Sequence, residues 1–297
     1  TKSLITQLQR NQRNNVGNDP IGILIFDYKA DYIKDEFIEA TGATVHKPYN
    51  LPFNPFSLFG NKPMLPVHTA NLFRTTMGKA YGLGVKQQNK IRNLILEAYE
   101  SAGIYANDPS TWTKNAPTLD DVWNVLQSQE KVEEDSLFAA FSDLIDFQIF
   151  EQDSSKTISL NEMVTGVTVI NLSGYDPQLQ NLIVALTLDL FYSQMHIAGS
   201  SQLDGNYRQI TKMILVDEAD NFMSQGFESL KKILKEGREF GVGTILSTQE
   251  LTHFKASGTD YSSYILTWIV HRVSQIKGPD IQSIFNPDNK HDQEAFM

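Results

Sequence analysis

The chain contains no cysteine. Disulfides and Cys-ligated zinc are thereby excluded, and nothing calls for an oxidising compartment. It also lacks any apolar run of the ~18–20 residues that a membrane span needs. The longest candidate, residues 182–191, is short and carries Asp189. The opening Thr1-Lys2-Ser3-Leu4 does not form a signal peptide and reads as a helix entered midway. His46, His68, His196, His253, His271 and His291 show neither H-x-x-x-H nor H-E-x-x-H spacing, so a zinc enzyme is not expected. No G-x-S-x-G is present, which leaves a hydrolase nucleophile elbow without support. Internal repeats and low-complexity tracts are missing too. Basic charge is in deficit, with 25 Lys and Arg against 35 Asp and Glu and a net charge of -10. That excludes a surface that is basic all over, but not a local basic lining.

What is present suffices for a large core. The chain has 297 residues, of which 41% are hydrophobic, and this length suits one or two domains. Leu4, Ile5 and Leu8 follow helical spacing. Residues 14–20 (NNVGNDP) form a turn cluster. Residues 21–26 are almost continuously apolar and end in Asp27, as in a strand buried on both faces of a parallel sheet. A helix is expected over 31–41 and a short strand at 43–45. Five prolines mark 48–66 as loop. From 67 to 150 the pattern is helical, with segments near 67–80, 87–103, 118–130 and 134–149. Thr118 followed by Asp120 and Asp121 looks like a capped helix start. Strands are expected again at 167–172, 213–217, 243–248 and 265–273. Helices are expected between them at 178–195 and 227–240. Strands alternating with helices predict an α/β fold whose mainly parallel sheet is covered on both faces. The reading divides the chain into 1–59 and 151–297, which form the α/β core, and 60–150, an all-helical insertion.

Three strand ends carry chemistry. Ile214-Leu215-Val216-Asp217-Glu218-Ala219-Asp220 is an apolar strand ending in acids. In phosphoryl-transfer enzymes the first such acid holds a magnesium shell and the next can activate the attacking water. The plain alternative is a buried strand with a solvated acidic turn. Lys235 to Gln249 (KEGREFGVGTILSTQ) runs from a basic helix end through glycine into a strand with a polar exit. Gln249 would lie beside the Asp217 strand end, where an amide can sense a γ-phosphate. Arg238 could stabilise phosphoryl charge, in this chain or a neighbour, although a helix cap explains it as well. Phe26-Asp27-Tyr28-Lys29-Ala30-Asp31 places charge at a third strand end. Other features read more plainly. Phe138, Phe141, Phe147 and Phe150 read as core, and Lys79, Lys86, Lys90 and Arg92 as a solvated helix face ahead of a DNA-facing one. Lys231, Lys232 and Lys235 face a subunit interface or solvent.

The order of these segments resembles the HerA/FtsK superfamily of P-loop ATPases, and within it the HerA-like ATPases. Thr1-Lys2-Ser3-Leu4-Ile5 resembles the end of a Walker A motif and its helix. Phe26 to Asp31 resembles the family's D-P-K-G-E/D strand end, and Leu51-Pro52-Phe53-Asn54-Pro55-Phe56 its N-P-L/F loop. Val169 to Gly174 resembles its v-i-d-L-s-g strand. The strand at 213–217 resembles Walker B, and residues 237–249 the G-R-x-F-G-x-x-x-x-x-S-T-Q motif. Trp268 to Val273 resembles a later strand carrying Arg272. The likeness spans nearly the whole chain. Its segment from Asp27 to Phe56 looks most like the HerA-like ATPases of phosphorothioation-dependent DNA restriction.

The resemblance implies a RecA-like P-loop NTPase core using ATP and Mg2+. Asp217 would position the magnesium through water and Glu218 would be the base. Gln249 would sense the γ-phosphate, and Arg238 and Arg272 would be trans-acting arginines. Asp27 and Lys29 would line the nucleotide site. Thr1 would be a magnesium ligand in one register. In a second, Lys2-Ser3 would be the K-[ST] pair, and in a third the motif lies wholly upstream. The glycine loop and its lysine are absent from this sequence, so the chain as it stands is expected to bind ATP poorly. The implied partners are double-stranded DNA, further copies in a homo-hexamer, and a nuclease or other restriction-complex subunits, in the cytoplasm. Two other readings stay open. One is a conjugation-type ATPase for DNA or protein export. The other is a non-hydrolysing scaffold that recruits a nuclease.

Overall fold

The computed structural model describes residues 1–271. Its centre is a five-stranded sheet built from β1 (Gly22–Asp27), β2 (Thr44–His46), β3 (Val167–Asn171), β6 (Lys212–Val216) and β7 (Val242–Leu246). The spatial order is β2-β3-β1-β6-β7, and every neighbouring pair is parallel. β1 lies at the centre, and all six of its residues are buried. An apolar run buried on both faces suits that place, because a central parallel strand meets side chains above and below.

Alternate residues of the strands feed two cores. Ile23 and Ile25 of β1, with Val167, Val169 and Leu215, pack under Ile5 and Phe37. These come from helices α1 (Lys2–Asn11) and α2 (Asp35–Thr41). Leu24 and Phe26, with Ile170, Ile214 and Val216, face the other way. There they join helices α3 (Leu65–Ala80), α4 (Val85–Ser101), α5 (Leu119–Gln127) and α6 (Ser136–Asp146). The short α7 (Leu160–Met163), then α8 (Pro177–Ala198), α9 (Ala219–Met223) and α10 (Glu228–Glu236) complete that layer. The helical block therefore shares one continuous core with a face of the sheet. Helix α8 is the most enclosed member of this layer, with 15 of its 22 residues buried, Asp189 among them.

The α/β, mainly parallel architecture expected from the sequence is what the structure has. The strands expected near 21–27, 43–45, 167–172, 213–217 and 243–248 all form, within a residue or two at each end. The four helical segments before residue 150 form as well. Thr118 caps α5 through a reciprocal box with Asp121.

Four details differ. Helix α2 begins at Asp35 and not at 31, because the Asp27 carboxylate takes the backbone N–H groups of Asp31 and Tyr32. The helix expected over 227–240 breaks at Gly237 into a tighter 3-10 turn, Gly237–Phe240. That turn closes on Gly241, whose φ is +71 and where an added Cβ would stand 2.3 Å from the Gln209 carbonyl, so only glycine fits. Two small hairpins, β4–β5 (Leu203–Asp204 with Tyr207–Arg208) and β8–β9 (Lys255–Ala256 with Thr259–Asp260), were not expected. The strand expected at 265–273 does not form over 265–271. A strand needs a partner to satisfy its backbone; this run instead sets Trp268 edge-on to Phe254, with ring centroids 4.9 Å apart. The rest of that segment, with Arg272, lies outside the described residues.

Candidate active site at the carboxyl ends of β1, β6 and β7

The connection leaving β1 runs to β2 on one side of the sheet, while the one leaving β6 runs to β7 on the other. The strand order thus switches between β1 and β6. In an open parallel sheet that is where a crevice forms beyond the carboxyl ends. Asp27 ends β1 and Asp217 follows β6 directly, so both acids stand on this crevice.

Asp27 shapes the loop beyond β1. Its side chain is fully buried. One oxygen accepts from the backbone of Lys29 (3.2 Å) and Asp31 (3.0 Å), the other from Tyr32 (2.7 Å). Tyr28, in the same loop, is anchored by its hydroxyl to Asn181 Oδ1 of α8 at 2.8 Å. The loop is thereby held in one shape, with Lys29 projecting towards β6. Removing the Asp27 carboxylate would leave three N–H groups without their acceptor, at about 1–3 kcal/mol for each one buried. Asp27→Ala is expected to lower the melting temperature by several degrees, as checked by calorimetry, and Asp27→Asn by less.

Lys29 Nζ meets Glu218 Oε1 at 2.7 Å. Gln249 Nε2 donates to the same carboxylate, 3.3 Å from Oε1 and 3.2 Å from Oε2. Glu218 is therefore held between the β1 loop and the β7 loop. Its hydrogen bond raises the Lys29 ammonium above the ordinary lysine value. The Glu218 backbone is left-handed, with φ 47 and ψ 46. A non-glycine residue there stores about 1–2 kcal/mol of strain, and such strain gathers where the surroundings fix a functional side chain. The surroundings here are a backbone clasp. Ala219 N–H donates to Ser247 O at 2.8 Å, and Ser247 N–H to Val216 O at 3.1 Å.

Asp217 is buried at 8% exposure. Burial raises its pKa, the Ser247 hydroxyl opposes that by hydrogen bonding, and Glu218, Asp27 and Asp31 add to the rise. The crevice thus has an excess of negative charge at its floor, which favours a cation. Among the described residues no group of three or more acids or histidines is placed to hold a metal ion. A hydrated divalent cation that shares its shell with phosphates needs only one or two protein carboxylates, and Asp217 would supply one.

Thr1 and Lys2 also come to this end of the molecule. Thr1 lies at the start of α1, and Lys2 Nζ is 3.7 Å from Asp31. Asp31 takes a closer ion pair from Lys34 at 3.1 Å, and this bond chiefly lowers its pKa. Arg238 is not brought to the crevice of its own chain. It is exposed in the turn before β7, at the amino end of that strand, roughly 16 Å of strand away from Gln249. Ser247, Thr248 and Asp220 also stand at these strand exits. Thr248 Oγ1 donates to Asp220 Oδ1 at 3.2 Å and stands 2.6 Å from His253 Nδ1.

No protein-family model matches the sequence, and neither does any curated protein. A solved structure does share the fold. The chain is similar to VirB4 of Thermoanaerobacter pseudethanolicus, with a TM-score of 0.69 at 12% identity, over 98% of this chain and 78% of that one. A looser likeness is to the bacterial conjugative coupling protein TrwB without its first 70 residues, at a TM-score of 0.46 and 14% identity. There the chain is covered over 88% of its length and TrwB over 62%. TrwB has also been solved with ADP and Mg2+, and that form matches at a TM-score of 0.45 and 13% identity, over 86% and 62% of the two chains. No helix among the described residues is long and apolar enough to cross a membrane.

Proposed function

We propose that the chain is an ATP-hydrolysing motor domain of the HerA/FtsK kind that translocates or remodels DNA. The observation that carries this reading is Glu218, an acid held in a left-handed turn just past the buried Asp217 and gripped by Lys29 and Gln249. ATP with Mg2+ is the proposed cofactor, and the ion's role would be to neutralise the β- and γ-phosphate charge. Asp217 would hold that ion's water shell, with Thr1 as a further ligand in one register. Glu218 would take the proton of the attacking water. Gln249 would report the γ-phosphate to Glu218, to which it is already bonded. Lys29 and Asp27 would form the wall of the site beside β1, and Lys2 its rim.

Arg238, too far from its own crevice, would act on the site of the next subunit in a ring, the proposed assembly being a homo-hexamer. Residues 60–150 would be an insertion into a core made of 1–59 and 151–297. The segment from Asp27 to Phe56 favours the DptH-type ATPases of phosphorothioation-dependent restriction, with a nuclease or other restriction subunits as partners in the cytoplasm. The fold shared with VirB4 supports a second reading equally, an ATPase that drives export of DNA or protein in conjugation.

The test is ATP turnover by the natural full-length protein with Mg2+, with and without double-stranded DNA. Turnover that double-stranded DNA stimulates at least severalfold supports the motor. Turnover indifferent to DNA favours the export reading, and no turnover under either condition favours a scaffold that recruits a nuclease.

A further inference from the structure

Beyond the residues of the reading above, on which this step rests, one side chain next to the crevice has no role yet. His253 lies in the 3-10 turn Leu251–Phe254, which packs on α9. Its Nδ1 is 2.6 Å from Thr248 Oγ1 and 3.8 Å from Asp220 Oδ2, and its Nε2 is 3.9 Å from Glu250 Oε2. The Thr248 hydroxyl has one proton to give, and Asp220 Oδ1, 3.2 Å away, can only accept it. In the tautomer with the proton on Nδ1 the ring donates to Thr248, and the hydroxyl, accepting from the ring, is free to donate to the carboxylate. The result is a directed chain from His253 through Thr248 to Asp220. Hydrogen bonds that end on a charged acceptor are the stronger kind.

The placement of this chain gives it a function. Asp220 lies two residues after Glu218, on α9, and Thr248 is the residue before Gln249. Gln249 and Glu218 touch across the crevice. We propose that His253 is a positioning residue, which through Thr248 and Asp220 fixes the loop 247–250 against α9 and so sets Gln249 on Glu218. It touches no reacting atom. Without it, the loop keeps the backbone clasp at Ser247 and the bond from Thr248 to Asp220, but the ring no longer orients the Thr248 hydroxyl towards that carboxylate. Misplacing a positioned group by about 1 Å is enough to cost catalysis heavily.

The experiment uses the full-length protein with His253→Ala, His253→Asn and His253→Gln, and Glu218→Gln as a reference. Asparagine can place a donor where the imidazole Nδ1 stands, and glutamine cannot. The expected result is that His253→Ala and His253→Gln lower kcat about tenfold with KM nearly unchanged, while His253→Asn restores most of it. Amide hydrogen exchange at 248–250, measured without nucleotide, should quicken in His253→Ala and His253→Gln but not in His253→Asn. Unchanged exchange in His253→Ala overturns the proposal, and so does a kcat equal to the parent's. Equal losses in all three variants with a lower melting temperature also overturn it, since that pattern is general destabilisation. A parent protein without turnover would sink the ATPase reading instead, and the exchange measurement would still decide the positioning role.

Discussion

Glu218→Gln reduces Mg-ATP turnover by about 10²- to 10⁴-fold, the range associated with loss of a general base, while nucleotide affinity stays within a fewfold. The substitution keeps the shape of the side chain and both its neighbours. Gln249 still has an oxygen to donate to, and only the ion pair with Lys29 is lost. In the state described here the Glu218 carboxylate is engaged by an ammonium and an amide, so its oxygens are occupied until one of them lets go. Binding of a γ-phosphate beside Gln249 is a natural trigger, since the amide would then have a second acceptor. A control separates chemistry from strain. Glu218→Gly removes the same carboxylate and also relieves the left-handed backbone, worth about 1 kcal/mol. Its melting temperature should match or exceed that of Glu218→Ala although both are inactive. Undiminished turnover in Glu218→Gln would end the assignment of Glu218 as base.

Asp189→Asn raises the melting temperature by several degrees or more at neutral pH and has little effect near pH 4. Asp189 lies on α8, where its Oδ2 accepts from Thr76 Oγ1 of α3 at 2.6 Å. A small cavity of about 40 Å3 lies against it, lined by Ser57, Thr69 and Ser193 among apolar residues. Burial pushes its pKa up to about 7, opposed by the Thr76 hydrogen bond and by Lys232. A carboxyl raised in the folded state binds its proton more tightly there than in the unfolded chain. Its contribution to stability is therefore full below the ordinary value near 4 and is lost as pH rises through 7. Each unit corresponds to about 1.4 kcal/mol. The Asn variant, which never ionises, gains on the parent progressively between pH 4 and 7 and then holds a constant lead. The difference between the two melting curves, taken at each pH, checks this; a lead that does not vary with pH would show that Asp189 does not change its charge in this window.

Much of this was legible in the sequence, for identifiable reasons. β1, β6 and β7 announce themselves because strands buried on both faces must be apolar throughout, and the polar residues that end them must then stand at one edge of the sheet. Asp27, Lys29, Asp217, Glu218 and Gln249 meet there, as their positions at strand exits implied. What escaped is whatever depends on contacts between distant segments. The start of α2 was misplaced because nothing local says that Asp27 will capture the N–H groups of the next turn. The β4–β5 hairpin was missed because strands of two residues have no period to read. His253 was weighed only for metal spacing, since its partners lie on α9 and on the β7 exit, and only the folded chain sets them side by side. Asp189 registered as an interruption in an apolar run, and its environment is made by α3 and α10, which no pattern within α8 can convey.

The central position of β1 has a consequence for how the protein is made. Its two partners, β3 and β6, follow it in the chain by about 140 and 190 residues. Translation at roughly 5–20 residues per second leaves this strand waiting some 10–40 seconds for its second neighbour. Until β3 follows, Ile21 to Phe26, apolar throughout apart from one glycine, has neither edge paired, and until β6 follows it has only one. A nascent chain of this design calls for a chaperone to shield that segment, and slower, cooler expression should raise its soluble yield by giving aggregation less of a lead over folding.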